Sequence, residues 1–254
     1  MMAFKAVLLD IAGVLHDGQA PYPGAIEAVE RLARAAVPLR FVTNTSRRTR
    51  ATTVQRLRDM GFAVAAEQVF TAPLAARAYL EREGLRPLLI IHPDLAPDFA
   101  GLETRDPNAV FLADAAEYCG YVELDQAFGL ISDGAPLVAV GRNRYFREAG
   151  RLHLDAGAFV AALEYASGKP AIVAGKPAPA FFRAVLDDLS VEPAEAIMIG
   201  DDVEADVLGA LDNGLQACLV QTGKYRAGDE ARLAGTGARL AADLVSALDC
   251  LTGS

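Results

Sequence analysis

Four polar clusters follow apolar, strand-like stretches of this chain. They are Asp10 after KAVLL, Thr43 and Asn44 after PLRFV, Lys176 after AIVAG, and Asp201 with Asp202 after EAIMIG. In an open parallel sheet the carboxyl ends of the strands meet at one edge, where ligands bind. The sequence therefore predicts that residues far apart along the chain converge on one polar site.

The acidic residues of these clusters suit a hard divalent cation. Asp10 and Asp201 would supply carboxylate oxygens, which Mg²⁺ prefers over the softer donors that other metals favour. Asp206 follows in the first turns of the next predicted helix. It would bind a metal-bound water or orient Lys176, so we group it with the metal ligands.

The other residues suit a phosphoryl group. Thr43, Asn44 and nearby backbone N–H groups can hold phosphate oxygens, and Lys176 offers a compact positive charge. Because a carboxylate such as Asp10 is also a competent nucleophile, the set predicts phosphoryl transfer through an aspartyl-phosphate.

Strand-like and helix-like stretches alternate at both ends of the chain. Apolar runs such as KAVLLDI and EAIMIG are each followed by helical periodicity, as in PGAIEAVERLARAAV and VEADVLGALDNG. This alternation predicts an α/β fold with a doubly wound parallel sheet. The middle also alternates, with RPLLIIH, NAVFLA and PLVAV as candidate strands. Periodicity alone leaves open whether the middle continues the first sheet or forms its own.

Composition excludes several classes of partner. Lys and Arg total 24 against 33 Asp and Glu, a net charge of −9, which disfavours nucleic acid and anionic membranes because both require a basic face. A small phosphorylated substrate stays compatible with a locally positive pocket.

Three cysteines without CxxC spacing indicate reduced thiols. No apolar stretch approaches the roughly 18 residues of a membrane span, and no signal-peptide core is present, so we expect a soluble, cytoplasmic protein.

Four motifs carry a family resemblance. In order and spacing, DIAGVL, VTNTS, GKP and GDDVEAD resemble the signature motifs of the haloacid dehalogenase (HAD) superfamily. The long gap between the second and third motifs resembles the 4-nitrophenylphosphatase/NagD-like subgroup, which has a C2-type cap inserted there. Stretches such as AGKPAPAFF and TGKY are similar to the phospholysine phosphohistidine inorganic pyrophosphate phosphatases.

The resemblance implies an organisation and a set of roles. It implies a Rossmann-like HAD core from residues 1–75 and 173–254, with an α/β cap from residues 76–172. Asp10 becomes the nucleophile and a Mg²⁺ ligand, the carbonyl of Ala12 a second ligand and Asp201 a third. Thr43 and Lys176 become phosphate ligands.

The departure from the family pattern is Ala12. Most phosphatases of the superfamily carry an Asp there, which protonates the leaving group and later activates water. Loss of such an acid/base group costs roughly 10²–10⁴ in rate. The sequence therefore predicts a preference for good leaving groups: an aryl phosphate, pyrophosphate or a phosphoramidate. His16 is an alternative acid, although an imidazole at a loop start is more often a surface or packing residue.

Two alternative functions, and the formation of a homodimer, stay open at this point. A carbon–halogen hydrolase also uses an Asp nucleophile without a second Asp, but such enzymes do not keep the GDD cluster found here. A binding or regulatory protein with a weak or inactive site is supported only by Ala12 and disfavoured by the intact Asp10, Lys176 and Asp201. An exposed cap face could also pair two chains as a homodimer.

Overall fold

The computed structural model describes residues 4–148 and 151–252. The strands are β1 (Ala6–Asp10), β2 (Leu39–Thr43), β3 (Val69–Thr71), β4 (Pro87–Ile90), β5 (Ala109–Leu112), β6 (Leu137–Ala139), β7 (Tyr145–Glu148), β8 (Arg151–Leu154), β9 (Ile172–Val173), β10 (Ala196–Gly200), β11 (Gln216–Val220) and β12 (Arg239–Ala241). The α-helices are α1 (Ala25–Arg34), α2 (Arg50–Asp59), α3 (Ala72–Arg82), α4 (Tyr121–Ser132), α5 (Ala156–Ser167), α6 (Pro179–Leu189), α7 (Gly209–Asp212) and α8 (Leu244–Thr252).

The larger sheet has the strand order β12-β11-β10-β1-β2-β3. Strand β1 pairs in parallel with both β10 and β2, and β11 extends the parallel sheet beyond β10. All five residues of β1 and of β10 are buried, which explains why their sequences are continuous apolar runs. Because the chain leaves β1 toward β2 and returns later at β10, the strand order reverses between β1 and β10. This reversal marks the position where ligands bind in such sheets. The parallel pairings confirm the predicted α/β fold.

The middle of the chain builds a second parallel sheet, with the order β4-β5-β6-β9, and a separate antiparallel hairpin, β7–β8. The candidate strands RPLLIIH, NAVFLA and PLVAV correspond to β4, β5 and β6.

One expectation about this region is wrong. The AIVAG stretch was expected to precede Lys176 as a strand of the Asp10 sheet. Its strand, β9, pairs with β6 instead, with Val138 opposite Ile172, and the Ala174 N–H donates to the Ala139 carbonyl. The backbone groups of this segment are thus satisfied within the second sheet.

The fold divides into two compact units. The larger contains Met1–Thr43, Thr53–Phe70 and Lys176–Ser254, and the smaller contains Asn44–Thr52 and Thr71–Gly175. The smaller unit includes the whole segment, residues 76–172, for which a cap was predicted, and its action as a cap stays a prediction. Among the helices of residues 4–148 and 151–252, none has the length and hydropathy to cross a membrane.

Phe41 provides a test of the larger core. Its side chain is fully buried in β2, so Phe41→Ala should lower the free energy of unfolding by about 3–5 kcal/mol. Leu240 in β12 of the same sheet is 42% exposed, and Leu240→Ala should cost no more than about 1 kcal/mol. Urea unfolding of the two variants measures both values. Equal losses would contradict the burial pattern.

Candidate active site

Three carboxylates meet beside the two central strands of the larger sheet. Asp10 ends β1, Asp201 directly follows β10, and Asp206 lies in the helical turn Val203–Leu208. All three are buried, and one oxygen of each lies within 4.8 Å of the others. The residue types and spacing that predicted an acidic site thus correspond to one compact cluster.

The turn after β10 brings Asp206 back toward the strand. Residues Val203–Leu208 form a π-helix, in which the Val207 N–H donates to the Asp202 carbonyl. Gly200 makes the close approach possible, since a Cβ there would lie 2.2 Å from the Asp206 Cβ. The Asp202 N–H then donates to Asp206 Oδ2 at 3.1 Å. Single-turn π segments are frequent at functional sites.

Lys176 contacts two of the three carboxylates. Its Nζ donates to Asp10 Oδ1 and to Asp206 Oδ1, the latter at 2.6 Å. Burial alone would lower the pKa of Lys176, but the two carboxylates raise it above its ordinary value, so the side chain stays charged. The next residue, Pro177, packs closely on Gly209, where a Cβ would lie 2.4 Å from the Pro177 Cβ.

The charge balance of the cluster fits a divalent cation. Among the described residues, the three buried carboxylates are accompanied by the Lys176 ammonium, which contacts two of them. Burial, and then the charges of Asp10 and Asp206, raise the pKa of Asp201 well above its ordinary value. An added cation would relieve this repulsion, and an all-carboxylate donor set is one that Mg²⁺ accepts. Asp10, Asp201 and Asp206 are therefore the residues that could hold it.

Thr43 and Asn44 fall in different units. Thr43 ends β2 and is buried; the sheet register places Asp10 opposite Val42, one residue before it. Asn44 belongs to the smaller unit, where its side chain lies beside two glycines. A Cβ built on Gly141 would lie 3.3 Å from Asn44 Nδ2, and a Cβ built on Gly175 would lie 2.5 Å from Asn44 Oδ1.

Ala12 and Asp202 have different environments. Ala12 is exposed in the turn after β1. Asp202 caps the following helical segment, because its Oδ1 accepts the N–H groups of Glu204 and Ala205. The second Asp of the GDD motif is thus a helix cap in addition to its contact with Lys224.

His16 is buried close to the turn that contains Ala12. Its Nδ1 accepts the Gly18 N–H at 2.9 Å. Burial, and then the charge of Arg56, lower the pKa of His16 against the opposing effect of Asp10. Since the imidazolium is the acidic form, a lowered pKa makes His16 a poor substitute for the missing Asp at neutral pH.

The sequence reasoning missed the loop after β11. Lys224 donates its backbone N–H to Asp201 Oδ2 at 2.6 Å, and its Nζ lies 3.1 Å from Asp202 Oδ2. The signal was available in QACLVQTGK, a buried strand followed by polar residues and a glycine, the same pattern that identified the other clusters.

Strand order and the carboxylate–lysine cluster together define a doubly wound α/β protein with a site at its topological switch point. Family models of haloacid dehalogenase-like hydrolases match residues 7–103 and 173–247. The chain belongs to the haloacid dehalogenase-like hydrolases.

Relatives of known name cover almost the whole chain. The chain is 47% identical to haloacid dehalogenase-like hydrolase domain-containing protein 2 of Homo sapiens, over 91% of this chain and 89% of that protein. It is 42% identical to phospholysine phosphohistidine inorganic pyrophosphate phosphatase of Xenopus laevis, over 98% of this chain and 95% of that protein. The resemblance inferred from the motifs is confirmed.

Solved structures with the same fold include phosphatases. A 4-nitrophenylphosphatase from Thermotoga maritima has a TM-score of 0.88 at 26% identity and covers 96% of both chains. A glycerol phosphate phosphatase from Mycobacterium tuberculosis, in complex with magnesium, has a TM-score of 0.85 at 28% identity, over 96% of this chain and 76% of that chain. NagD from E. coli, at 23% identity, shares the fold with a TM-score of 0.86 over 96% of this chain and 98% of that chain.

Lys176→Ala should destabilise the metal-free protein strongly. Removing one partner of a buried ion pair leaves uncompensated charge and costs about 3–5 kcal/mol. Lys5 pairs with Glu195 while 70% of its side chain is exposed, so Lys5→Ala should cost less than about 1 kcal/mol. Urea unfolding in EDTA compares the two variants. Similar losses would contradict the role of Lys176 in offsetting the repulsion among the buried carboxylates.

Proposed function

We propose that this hydrolase is a Mg²⁺-dependent phosphatase that works through an aspartyl-phosphate on Asp10. The observation that supports it is the buried cluster of Asp10, Asp201 and Asp206 with the Lys176 ammonium on two of its members. Relatives and structural neighbours named as phosphatases point to the same reaction class.

Asp10 would act as the nucleophile. One carboxylate oxygen attacks phosphorus, the bond from phosphorus to the leaving group breaks, and Asp10 becomes an acyl phosphate. Water then attacks the phosphorus, releases inorganic phosphate and restores the carboxylate. Lys176 would hold the Asp10 carboxylate in place and offset the charge of the phosphoryl group.

The remaining site residues would bind and balance charge. Thr43, buried at the end of β2, would donate its hydroxyl to a phosphate oxygen, and a phosphate contact of Asn44 stays a prediction. Asp10, Asp201, Asp206 and the Ala12 carbonyl would hold Mg²⁺, which when bound neutralises charge on the transferring group.

Ala12 would determine which leaving groups are tolerated. Its methyl group cannot protonate a departing oxygen, so a basic alkoxide would leave slowly. An aryl oxide or phosphate leaves without such help. The names of two relatives, a pyrophosphate phosphatase and a 4-nitrophenylphosphatase, agree with this preference.

The same residue favours a second candidate, a HAD-fold binding or regulatory protein with a weak site. The intact nucleophile, lysine and acidic cluster favour catalysis over that alternative. A lid function of the smaller unit, a homodimer and a cytoplasmic location stay predictions.

Asp10→Asn should abolish hydrolysis of 4-nitrophenyl phosphate and pyrophosphate, because an amide oxygen is a poor nucleophile and a weaker Mg²⁺ ligand. Steady-state assays with and without EDTA measure the loss, and circular dichroism checks the fold. Asp17, whose carboxylate accepts N–H groups in the next turn, provides the control: Asp17→Asn should retain activity. Undiminished turnover by Asp10→Asn, or full activity in EDTA, would contradict the proposal.

Ala12→Asp should change the leaving-group dependence. A carboxylic acid there could protonate an alkoxide, and the substrate phosphate would raise its pKa toward the working range. Alkyl phosphate turnover should rise about 10-fold or more, short of the full ~10²–10⁴ of an evolved acid. Aryl phosphate and pyrophosphate should change much less.

The measurement is kcat/KM for both proteins across leaving groups of graded pKa. The parent protein should show a steep fall with leaving-group basicity, and the variant a shallower one. A parent rate that is independent of leaving-group pKa would contradict this interpretation and indicate that another acid is already present.

A further inference from the structure

The loop after β11, residues Thr222, Gly223 and Lys224, encloses one side of the Asp201 carboxylate. The Lys224 N–H donates to Asp201 Oδ2 at 2.6 Å. Strands β11, β10 and β1 are adjacent in the sheet, so the loops that follow them meet at the same edge. The hydrogen bond is therefore made from one strand end to the next.

Two glycines make this approach possible. A Cβ at Gly13 would lie 1.9 Å from Asp201 Oδ2, and a Cβ at Gly223 would lie 2.0 Å from the same oxygen. Both residues also have positive φ, +94° and +60°. The carboxylate thus lies between two backbone segments that have no room for a side chain.

The loop is also joined to the turn after β1. Thr222 Oγ1 donates to the Gly13 carbonyl, and the Gly223 N–H donates to the Tyr22 hydroxyl at 3.3 Å. A Cβ at Gly223 would lie 2.5 Å from the Gly13 Cα. The position of Gly13 against the carboxylate therefore depends on the loop.

The geometry points to Thr222–Gly223–Lys224 as a positioning segment for the metal ligand Asp201. Its backbone holds the carboxylate in the orientation that presents an oxygen to Asp10 and Asp206. Removing a group that hydrogen-bonds to a metal-ligating residue typically weakens metal binding by about 10–100-fold. This inference rests on the proposed function, since it assumes that Asp201 holds Mg²⁺.

Gly223→Ala tests the segment directly. The added methyl group must displace the carboxylate, so the dissociation constant for Mg²⁺, measured by calorimetric titration of the metal-free protein, should rise about 10-fold or more. Gly235 has a similar positive φ of +77° and nothing within 4 Å of a built Cβ. Gly235→Ala therefore reproduces the backbone strain without the clash, and its Mg²⁺ affinity should stay within about 2-fold of the parent.

Lys224→Met separates the backbone of Lys224 from its ammonium. The variant keeps the N–H group on Asp201 and removes a positive charge near the acidic cluster, so Mg²⁺ should bind equally well or more tightly.

With 4-nitrophenyl phosphate, Gly223→Ala should raise the Mg²⁺ concentration for half-activation, while KM at saturating Mg²⁺ changes less than about 2-fold. A general structural defect would alter both quantities.

Thr222→Val keeps the test decisive if Gly223→Ala does not fold, because it removes only the hydroxyl that bonds Gly13 and should weaken Mg²⁺ binding to a smaller extent. Parent-like Mg²⁺ affinity in the folded variants, or an equal loss in Gly235→Ala, would overturn the positioning role. If Asp201→Asn binds Mg²⁺ as tightly as the parent protein does, the metal site of the proposed function is overturned, and the positioning role with it.

Discussion

The repulsion among three buried carboxylates is the constraint on which the rest of this site depends. Asp10, Asp201 and Asp206 would separate in water, yet the fold holds one oxygen of each within 4.8 Å of the others. Lys176 offsets part of that repulsion through two contacts. In the proposed metal site, a divalent cation would bind to the excess negative charge that remains, and the electrostatic cost of the metal-free cluster would contribute to the affinity for that cation.

Strand order explains how the carboxylates are held together. Asp10 ends one central strand and Asp201 directly follows its neighbour, and both strands are fixed by burial on both faces of the sheet. Asp206 is returned to the strand end by a π-helical turn over Gly200, where a Cβ would meet the Asp206 Cβ at 2.2 Å. Sites built on rigid strand ends hold their geometry better than sites on loops. The site therefore draws its precision from the most buried part of the larger unit.

The sequence predicted those parts of the site that obey a simple rule of sheets. Apolar runs ending in polar residues located Asp10, Thr43 and Asp201, because buried parallel strands read as continuous apolar segments. Lys176 joins the cluster as predicted, but the same rule does not explain how, since the short strand before it pairs in the second sheet. A two-residue strand contains too little pattern to show which sheet satisfies its backbone.

Close contacts between backbone and side chain could not be predicted from the sequence either. Glycine in a loop is usually a turn residue, and nothing in the letters distinguishes Gly223, pressed against Asp201, from Gly235, which faces open space. Asn44 was similarly grouped with Thr43 by adjacency, although its side chain lies beside Gly141 and Gly175 of the smaller unit. Such contacts depend on which strand ends become neighbours, and that information exists only in the assembled sheet.

The most direct test of the account is to trap the covalent intermediate on Asp10. The protein is mixed with phosphorus-labelled pyrophosphate and Mg²⁺ and quenched in acid. One portion is assayed for protein-bound label, and a second is treated with borohydride, which reduces an aspartyl-phosphate to homoserine and releases the phosphate. A covalent mechanism on Asp10 predicts protein-bound label that hydroxylamine removes from the first portion, and homoserine at position 10 in the peptide mass spectrum of the second, with both absent from Asp10→Asn. Turnover without trapped label, or label at another residue, would contradict it.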